Sequence, residues 1–305
     1  MALATFFFSS MEVALNGMVG HVSAAQVNCT RFGIGGLFLL PLAIREMRRR
    51  AQVLSASMVL QLFLLGFLGM VVSMSMYQLS VESIPANVVA VLFCTNTVFV
   101  LLFAAIILRT PISRLEIASV VVAMLGIGIL VDPLHTNLPL QGLILGLAAP
   151  LFFALYAIFG SRIAVQIGGI SLTCLTFLTG CLLTLLLIGL GNCEIGSRLL
   201  ERMGLHFLCG VDLVGGYTLE TVWRMLYVSV GVSGLGFACY FLSQEFGSPL
   251  LASLAFYLKP IFAPIFCWLI LGEKIVFTTK IGIVFLLVGS AMALFARIAD
   301  GRKKA

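Results

Sequence analysis

The sequence predicts an all-α integral membrane protein whose ten transmembrane helices form two inverted five-helix repeats. Three observations carry that prediction. Of 305 residues, 61% are hydrophobic and only 10% charged, against about 25% charged residues in soluble domains. The stretch from Tyr77 to Gly126 returns as Tyr240 to Gly289 at a constant offset of 163, with Leu79-Ser80, Glu82, Phe93, Phe99, Ile107-Leu108 and Gly126 answered by Leu242-Ser243, Glu245, Phe256, Phe262, Ile270-Leu271 and Gly289. Upstream the copies match more weakly: Ala14-Leu15 answers Ala154-Leu155, and Cys29, Phe32 and Gly35 answer Cys174, Phe177 and Gly180. Third, the basic residues concentrate in loops on one side of the membrane.

A bilayer-spanning helix needs about 20 apolar residues. That length divides the chain into spans at 2–20, 24–44, 58–80, 84–108, 113–131, 140–160, 169–190, 222–243, 247–271 and 277–296. Repeat 1 occupies 1–132 and repeat 2 occupies 139–297, with the Pro-containing connection Asp132–Pro139 between them. The first span lacks a basic n-region and carries Glu12, so it is expected to be retained rather than cleaved as a signal peptide. Pro150 is expected to kink the sixth span.

Lys and Arg in short loops set orientation. With the N-terminus inside, the cytoplasmic side receives Arg45, Arg48, Arg49, Arg50, Arg109, Arg114, Arg162, Arg297, Arg302, Lys303 and Lys304, while Arg198, Arg202, Arg224, Lys274 and Lys280 stay outside. Both termini are then cytoplasmic, and the bacterial inner membrane is the expected location. Because each repeat has an odd number of spans, the second enters upside down. The same bias explains the net charge of +6 and leaves no role for nucleic acid.

The long outer loop, residues 192–221, contains an amphipathic stretch from Ser197 to Leu208 that suits a short interfacial helix. Cys193 and Cys209 flank it and stand as either a disulfide or two free thiols. Trp223 and Trp268 fall near the outer interface, as belt residues do. Asn28-Cys29-Thr30 matches a glycosylation pattern but lies inside a span. Gly142 and Gly146 form a GxxxG that fits packing within the bundle better than dimerisation. The eight cysteines show no zinc spacing, and the three histidines share no motif, so neither a metal nor a cofactor is implied.

Three ionisable residues remain inside spans. Glu12 lies about ten residues into the first, roughly 15 Å of rise from its start; Lys259 is similarly deep in the ninth; Arg31 is shallower in the second. Each costs roughly 2.5–3.5 kcal/mol at a helix centre, so an intramembrane charge is a candidate functional group. The structural alternative is a salt bridge of Glu12 with Lys259 or Arg31, or an Arg31 that snorkels outward. Pro260 and Pro264 remove helix hydrogen bonds beside Lys259 and predict a bend there. Freed carbonyls next to a buried ammonium need a cavity or a partner. Asn16, Asn96, Tyr156 and Tyr257 are candidate polar lining for a substrate, with Phe152 and Phe153 as apolar wall; each alone is also ordinary packing. Asn96 is the repeat partner of Lys259.

Leu271-Gly272-Glu273 at the end of the ninth span, Pro260 within it, Gly282 and Gly289 in the tenth and Arg31 in the second resemble the EamA-type transporters of the drug/metabolite transporter superfamily. The resemblance covers nearly the whole chain and is strongest from Tyr240 to Arg297. Leu108-Arg109-Thr110 departs from the pattern in the first half, and Thr97 stands where the second copy has Pro260. The resemblance implies a secondary transporter, and export of amino acids, other metabolites or drugs. It also implies that a basic residue of the ninth span, here Lys259, binds an anionic group. Glu12 would then bind an amine or carry a coupling proton. Two rival functions are an integral-membrane enzyme acting on a lipid or lipid-linked substrate, which needs a convergent catalytic constellation, and a non-transporting sensor, which needs an output domain.

Overall fold

The computed structural model describes residues 2–51, 54–109, 113–131, 138–247, 249, 252, 254–256 and 259–304, with side chains described at all of these but 130, 131, 254, 290, 294 and 297–304. Eleven helices run through the described residues. They are α1 (Ala2–Asn16), α2 (Ala24–Arg49), α3 (Ala56–Ser83), α4 (Ala86–Ile107), α5 (Arg114–Val131), α6 (Leu140–Ile167), α7 (Gly169–Gly191), α8 (Glu194–Arg202), α9 (Leu219–Glu245), α10 (Lys259–Leu271) and α11 (Phe277–Lys304). Six of them, α2, α3, α4, α6, α7 and α9, are long and apolar enough to cross a bilayer.

Helix starts are fixed by side chains that satisfy their free N–H groups. Ser23 and Gln26 form a reciprocal capping box at α2, and Thr218 with Thr221 does the same at α9. Two starts are instead capped from another helix. The Glu273 carboxylate accepts the N–H groups of Ala86 and Asn87 at 2.9 and 3.0 Å. At α7, Glu245 accepts the Gly169 N–H at 2.7 Å and Glu46 accepts the Ser171 N–H at 2.7 Å. Arg50 closes this second cluster by pairing with Glu245. Gly168, just before α7, has φ +100°, and a Cβ there would lie 2.0 Å from the Glu46 carboxyl carbon, so both backbone and space require glycine.

Two seams hold the bundle. Along α2 and α7, Cys29 and Cys181 sulfurs are 3.7 Å apart, the Cys174 thiol donates to the Gly36 carbonyl at 3.2 Å, and the Ser171 hydroxyl donates to the Ala43 carbonyl at 3.2 Å. Numbers rise along α2 as they fall along α7, so the two run antiparallel. Along α5 and α11, a Cβ at Gly126 would meet the Gly282 carbonyl at 3.0 Å and Leu286 N at 3.2 Å, and one at Gly289 would meet the Ser119 carbonyl at 2.9 Å and Ala123 N at 3.1 Å. These contacts are mutual images under the 163-residue offset, and they too run antiparallel. Small residues permit the close backbone approach on which membrane helix packing depends. The same exchange governs the other contacts: α1 packs on α9 and α10 as α6 packs on α3 and α4.

Irregular backbone recurs at matching places. A wide π turn covers Phe67–Ser73 in α3 and Tyr227–Gly236 in α9. In α4 the helix breaks at Cys94-Thr95 and resumes at Asn96, and the matching residue of the second copy, Lys259, is the first described residue of α10. Pro260 was expected to bend the helix beside Lys259; residues 257–258, just before it, lie outside the described residues. Pro264 lies inside α10 and is followed by a π turn at Cys267–Leu271.

Some expected boundaries shift. The first span was expected to reach residue 20, but α1 ends at Asn16 in a turn. The amphipathic outer segment forms α8 and a short 3-10 turn, His206–Leu208, rather than one helix. Cys193 and Cys209 are free thiols. Gly142 and Gly146 pack inward, a Cβ at each lying 2.7 Å from Ile84 and 2.8 Å from Ser80 Oγ. Trp223 and Trp268 are exposed. Residues 132–137 of the connection between the halves lie outside the described residues.

Candidate functional site

Glu12 and Lys259 meet. Nζ lies 2.5 Å from Oε1 and both side chains are completely buried. The Tyr77 hydroxyl donates to the same Oε1 at 2.5 Å. Lys259 Nζ sits 4.9 Å from the Phe93 ring centre, 5.8 Å from that of Tyr77 and 5.9 Å from that of Phe256, an aromatic cage that stabilises a desolvated cation. The arrangement is incomplete as a salt bridge. Glu12 Oε2 has no hydrogen-bond partner among the described residues, and the close charge contact of Nζ lacks hydrogen-bond alignment. A carboxylate oxygen and ammonium protons are thus left unspent side by side, where burial makes unmet polar groups expensive.

Local structure explains the placement. Glu12 is on the inward face of α1, one turn before its end, and Tyr77 lies in the α-helical part of α3 beyond the π turn. Lys259 lies on α10, and Phe93, at the end of the first segment of α4, is 5.7 Å from Phe256 of the 3-10 turn Leu254–Phe256. Phe93 and Phe256 are repeat partners, and so are Phe32 and Phe177, whose ring centres are 4.8 Å apart.

Arg31 does not snorkel: it is 1% exposed. Its guanidinium lies over the Phe32 ring at 4.4 Å and touches Met11 Sδ at 4.0 Å, while Nε and Nη2 have no partner among the described residues. Met11 precedes Glu12 on α1, which places Arg31 at the edge of the same cluster.

The other predicted residues separate. Asn96 is buried and interacts with the Tyr240 hydroxyl rather than with Glu12. The Tyr156 hydroxyl bonds Thr176 at 2.9 Å and its ring packs on Phe153 and Phe241, so two rings, Phe153 and Phe93, stand between it and Lys259. Phe153 is buried at the centre of that aromatic column and Phe152 is half-buried. Asn16 is half-buried at the end of α1, one turn past Glu12. Tyr257 lies outside the described residues. Sequence reasoning missed Tyr77 and the Phe93–Phe256 cage; their recurrence at the repeat offset was the available signal.

The site is sealed. Towards one end stand Arg50, Glu46 and Glu245, which border a cavity of about 540 Å³ that the central pair does not reach. Towards the other stands Glu273 on the start of α4. Among the described residues no group of His, Cys, Asp and Glu is arranged to hold a metal ion.

With this geometry in view, comparison with known proteins is informative. The model of the EamA-like transporter family matches residues 1–131 and 140–295. A protein of Clostridium kluyveri described as an uncharacterized transporter is 30% identical over 296 residues, covering 94% of this chain and 89% of its own length. Another from Archaeoglobus fulgidus, described in the same words, is 25% identical over 173 residues, covering 57% of this chain and 60% of its own. A solved crystal structure shares the fold with a TM-score of 0.69 at 15% identity, covering 97% of this chain and 96% of the other.

Proposed function

From the premise that the chain belongs to the EamA-like transporter family, and is therefore a multi-pass membrane transporter and not an enzyme, we propose that it exports a small metabolite, an amino acid or organic anion, by alternating access. The membrane is the bacterial inner membrane, both termini are cytoplasmic, and residues 1–132 and 139–297 act as two inverted five-helix repeats that rock about a central site. The antiparallel seams and exchanged contacts support this reading, because only an inverted copy sets a helix antiparallel to its own repeat partner.

The single observation that carries the site assignment is the sealed Glu12–Lys259 pair with its unspent oxygen and ammonium protons. Lys259 takes the carboxylate of the substrate, with Arg31 as a second cation. Glu12 takes an amine or carries a coupling proton, and Tyr77 orients it. Asn16, Asn96, Tyr156 and Tyr257 line the path, and Pro260 and Pro264 shape the helix that moves.

Substrate flux into proteoliposomes tests the assignment. Lys259→Ala and Glu12→Gln are each expected to reduce flux at least tenfold in folded protein; wild-type flux in both removes the assignment. The tight pairing also favours a second reading, a purely structural ion pair. The double variant Glu12→Leu/Lys259→Met separates the two, since an apolar pair replaces a buried ion pair with little loss of stability. It folds without transporting if the pair binds substrate, and transports if the pair is structural.

A further inference from the structure

The end of α2 sets Leu42, Arg45, Glu46 and Arg49 at i, i+3, i+4 and i+7, one face of the helix, with Arg50 just beyond its last residue. Together with Ile170 at the start of α7, and with Glu245 and Phe246 at the end of α9, these residues line a cavity of about 540 Å³. Three helix ends of a membrane bundle thus meet at one level. Leu42 and Phe246 are exposed there, so the cavity has an apolar side as well as a charged one.

Three arginines and two carboxylates line it, and the carboxylates are already engaged. Glu46 Oε2 accepts both the N–H and the hydroxyl of Ser171 at 2.7 Å. Glu245 accepts the Gly169 N–H at 2.7 Å and pairs with Arg50, whose Nη1 donates to the Val165 carbonyl at 3.3 Å. Arg45 and Arg49 are exposed, and neither pairs with a carboxylate among the described residues. Solvated arginines alone would reflect only the orientation bias. These two differ in sharing a cavity with apolar side chains.

We propose that this cavity binds one anionic phospholipid, whose phosphate is held by Arg45 and Arg49 and whose acyl chain lies on Leu42, Ile170 and Phe246. Guanidinium groups suit phosphate because their paired N–H donors match its oxygens, and basic pockets between membrane helices are anionic-lipid sites. A soluble anion would leave the apolar side of the cavity without a counterpart. One wall belongs to α2 and the other to α7 and α9, the walls that Arg50 and Glu245 join. A ligand touching both binds best while they are together, so the lipid favours the latched state.

Thermal unfolding of the purified full chain in mixed micelles tests the site. Dioleoyl phosphatidylglycerol is compared with dioleoyl phosphatidylcholine, which has the same chains and no net charge. A ligand of the folded state raises the unfolding temperature. Phosphatidylglycerol is therefore expected to raise that of the wild type by several degrees more than phosphatidylcholine does. Arg45→Gln/Arg49→Gln alters two exposed side chains and is expected to lose most of that difference. Arg198→Gln/Arg202→Gln, which removes the same charge from exposed positions on α8, is expected to keep it. No difference in the wild type overturns the proposal, as does a difference retained in Arg45→Gln/Arg49→Gln. Equal loss in both double variants overturns it too, since any basic surface would then attract the lipid. Glycerophosphate stabilising as strongly as the lipid would replace the lipid with a soluble anion.

Glu245→Gln tests the link to the latch by its sign. It removes a negative charge from the cavity wall, so attraction by charge alone requires a larger phosphatidylglycerol shift. Mutual support of lipid and latch requires a smaller one. A larger shift would overturn the coupling.

Discussion

Tyr77 places its hydroxyl 2.5 Å from Glu12 Oε1, in a contact that is wholly buried. A hydrogen bond to a charged group contributes about 1.5–3 kcal/mol, so Tyr77→Phe is expected to lower the unfolding temperature of the detergent-solubilised protein by several degrees. If Tyr77 orients Glu12 for substrate, flux falls as well. Glu12, Arg31 and Lys259 were legible in the sequence because a charge in an apolar segment is expensive and therefore conspicuous. Tyr77 was not, since a tyrosine in a membrane helix is ordinary until its partner is known. The distribution of polar lining was equally hidden. Asn96 and Glu12 both read as midmembrane polar groups, and only the fold shows Glu12 paired with Lys259 and Asn96 beside Tyr240 instead.

At the scale of elements, spacing and apolar length predicted where helices run, and the repeat predicted which of them resemble each other. Backbone irregularity was only half visible. Pro264 marks the irregular backbone of α10, but the break in α4 at Cys94-Thr95 carries no proline or glycine. The early end of α1 at Asn16 had no signal beyond Gly17 and Gly20. The α5–α11 seam gives a direct test of exchange symmetry. Leucine at Gly126 or at Gly289 would force a side chain into backbone atoms near 3 Å away, an overpacking that costs about 1–3 kcal/mol. Gly126→Leu and Gly289→Leu are expected to lower the melting temperature by similar amounts, as two substitutions in one symmetric contact. A large effect at one and none at the other would show that the seam is not an exchanged pair.

Across the whole molecule, the sealed state depends on a cap at each end. Arg50 with Glu46 and Glu245 ties α2, α9 and the start of α7 together; Glu273 ties α10 to the start of α4. A carboxylate at a helix N-terminus is favoured by the unsatisfied N–H groups and the helix dipole. Loosening one cap shifts the population toward the state open at that end. Arg50→Ala is therefore expected to slow severalfold the modification of Glu12→Cys by a membrane-impermeant thiol reagent added to sealed vesicles from the Glu273 side. Glu273→Gln should do the reverse. Faster modification of Glu12→Cys in both variants would argue for general loosening instead of a two-state shift. None of these caps was readable beforehand, because each joins residues from separate helices across the fold.

The Glu12–Lys259 contact also orders events during synthesis. Its acidic half is in the first helix to emerge and its basic half lies on the tenth, nearly 250 residues later. At about 5–20 residues per second the nascent chain waits ~12–50 s between them. The Tyr77 hydroxyl, 65 residues after Glu12, is available much sooner and can shelter the carboxyl in the interval. The centre of the bundle therefore cannot close until α10 arrives. A ribosome stalled before Lys259 would hold an acidic helix in the bilayer with only a tyrosine for company, a form that membrane quality control can tell from the finished protein.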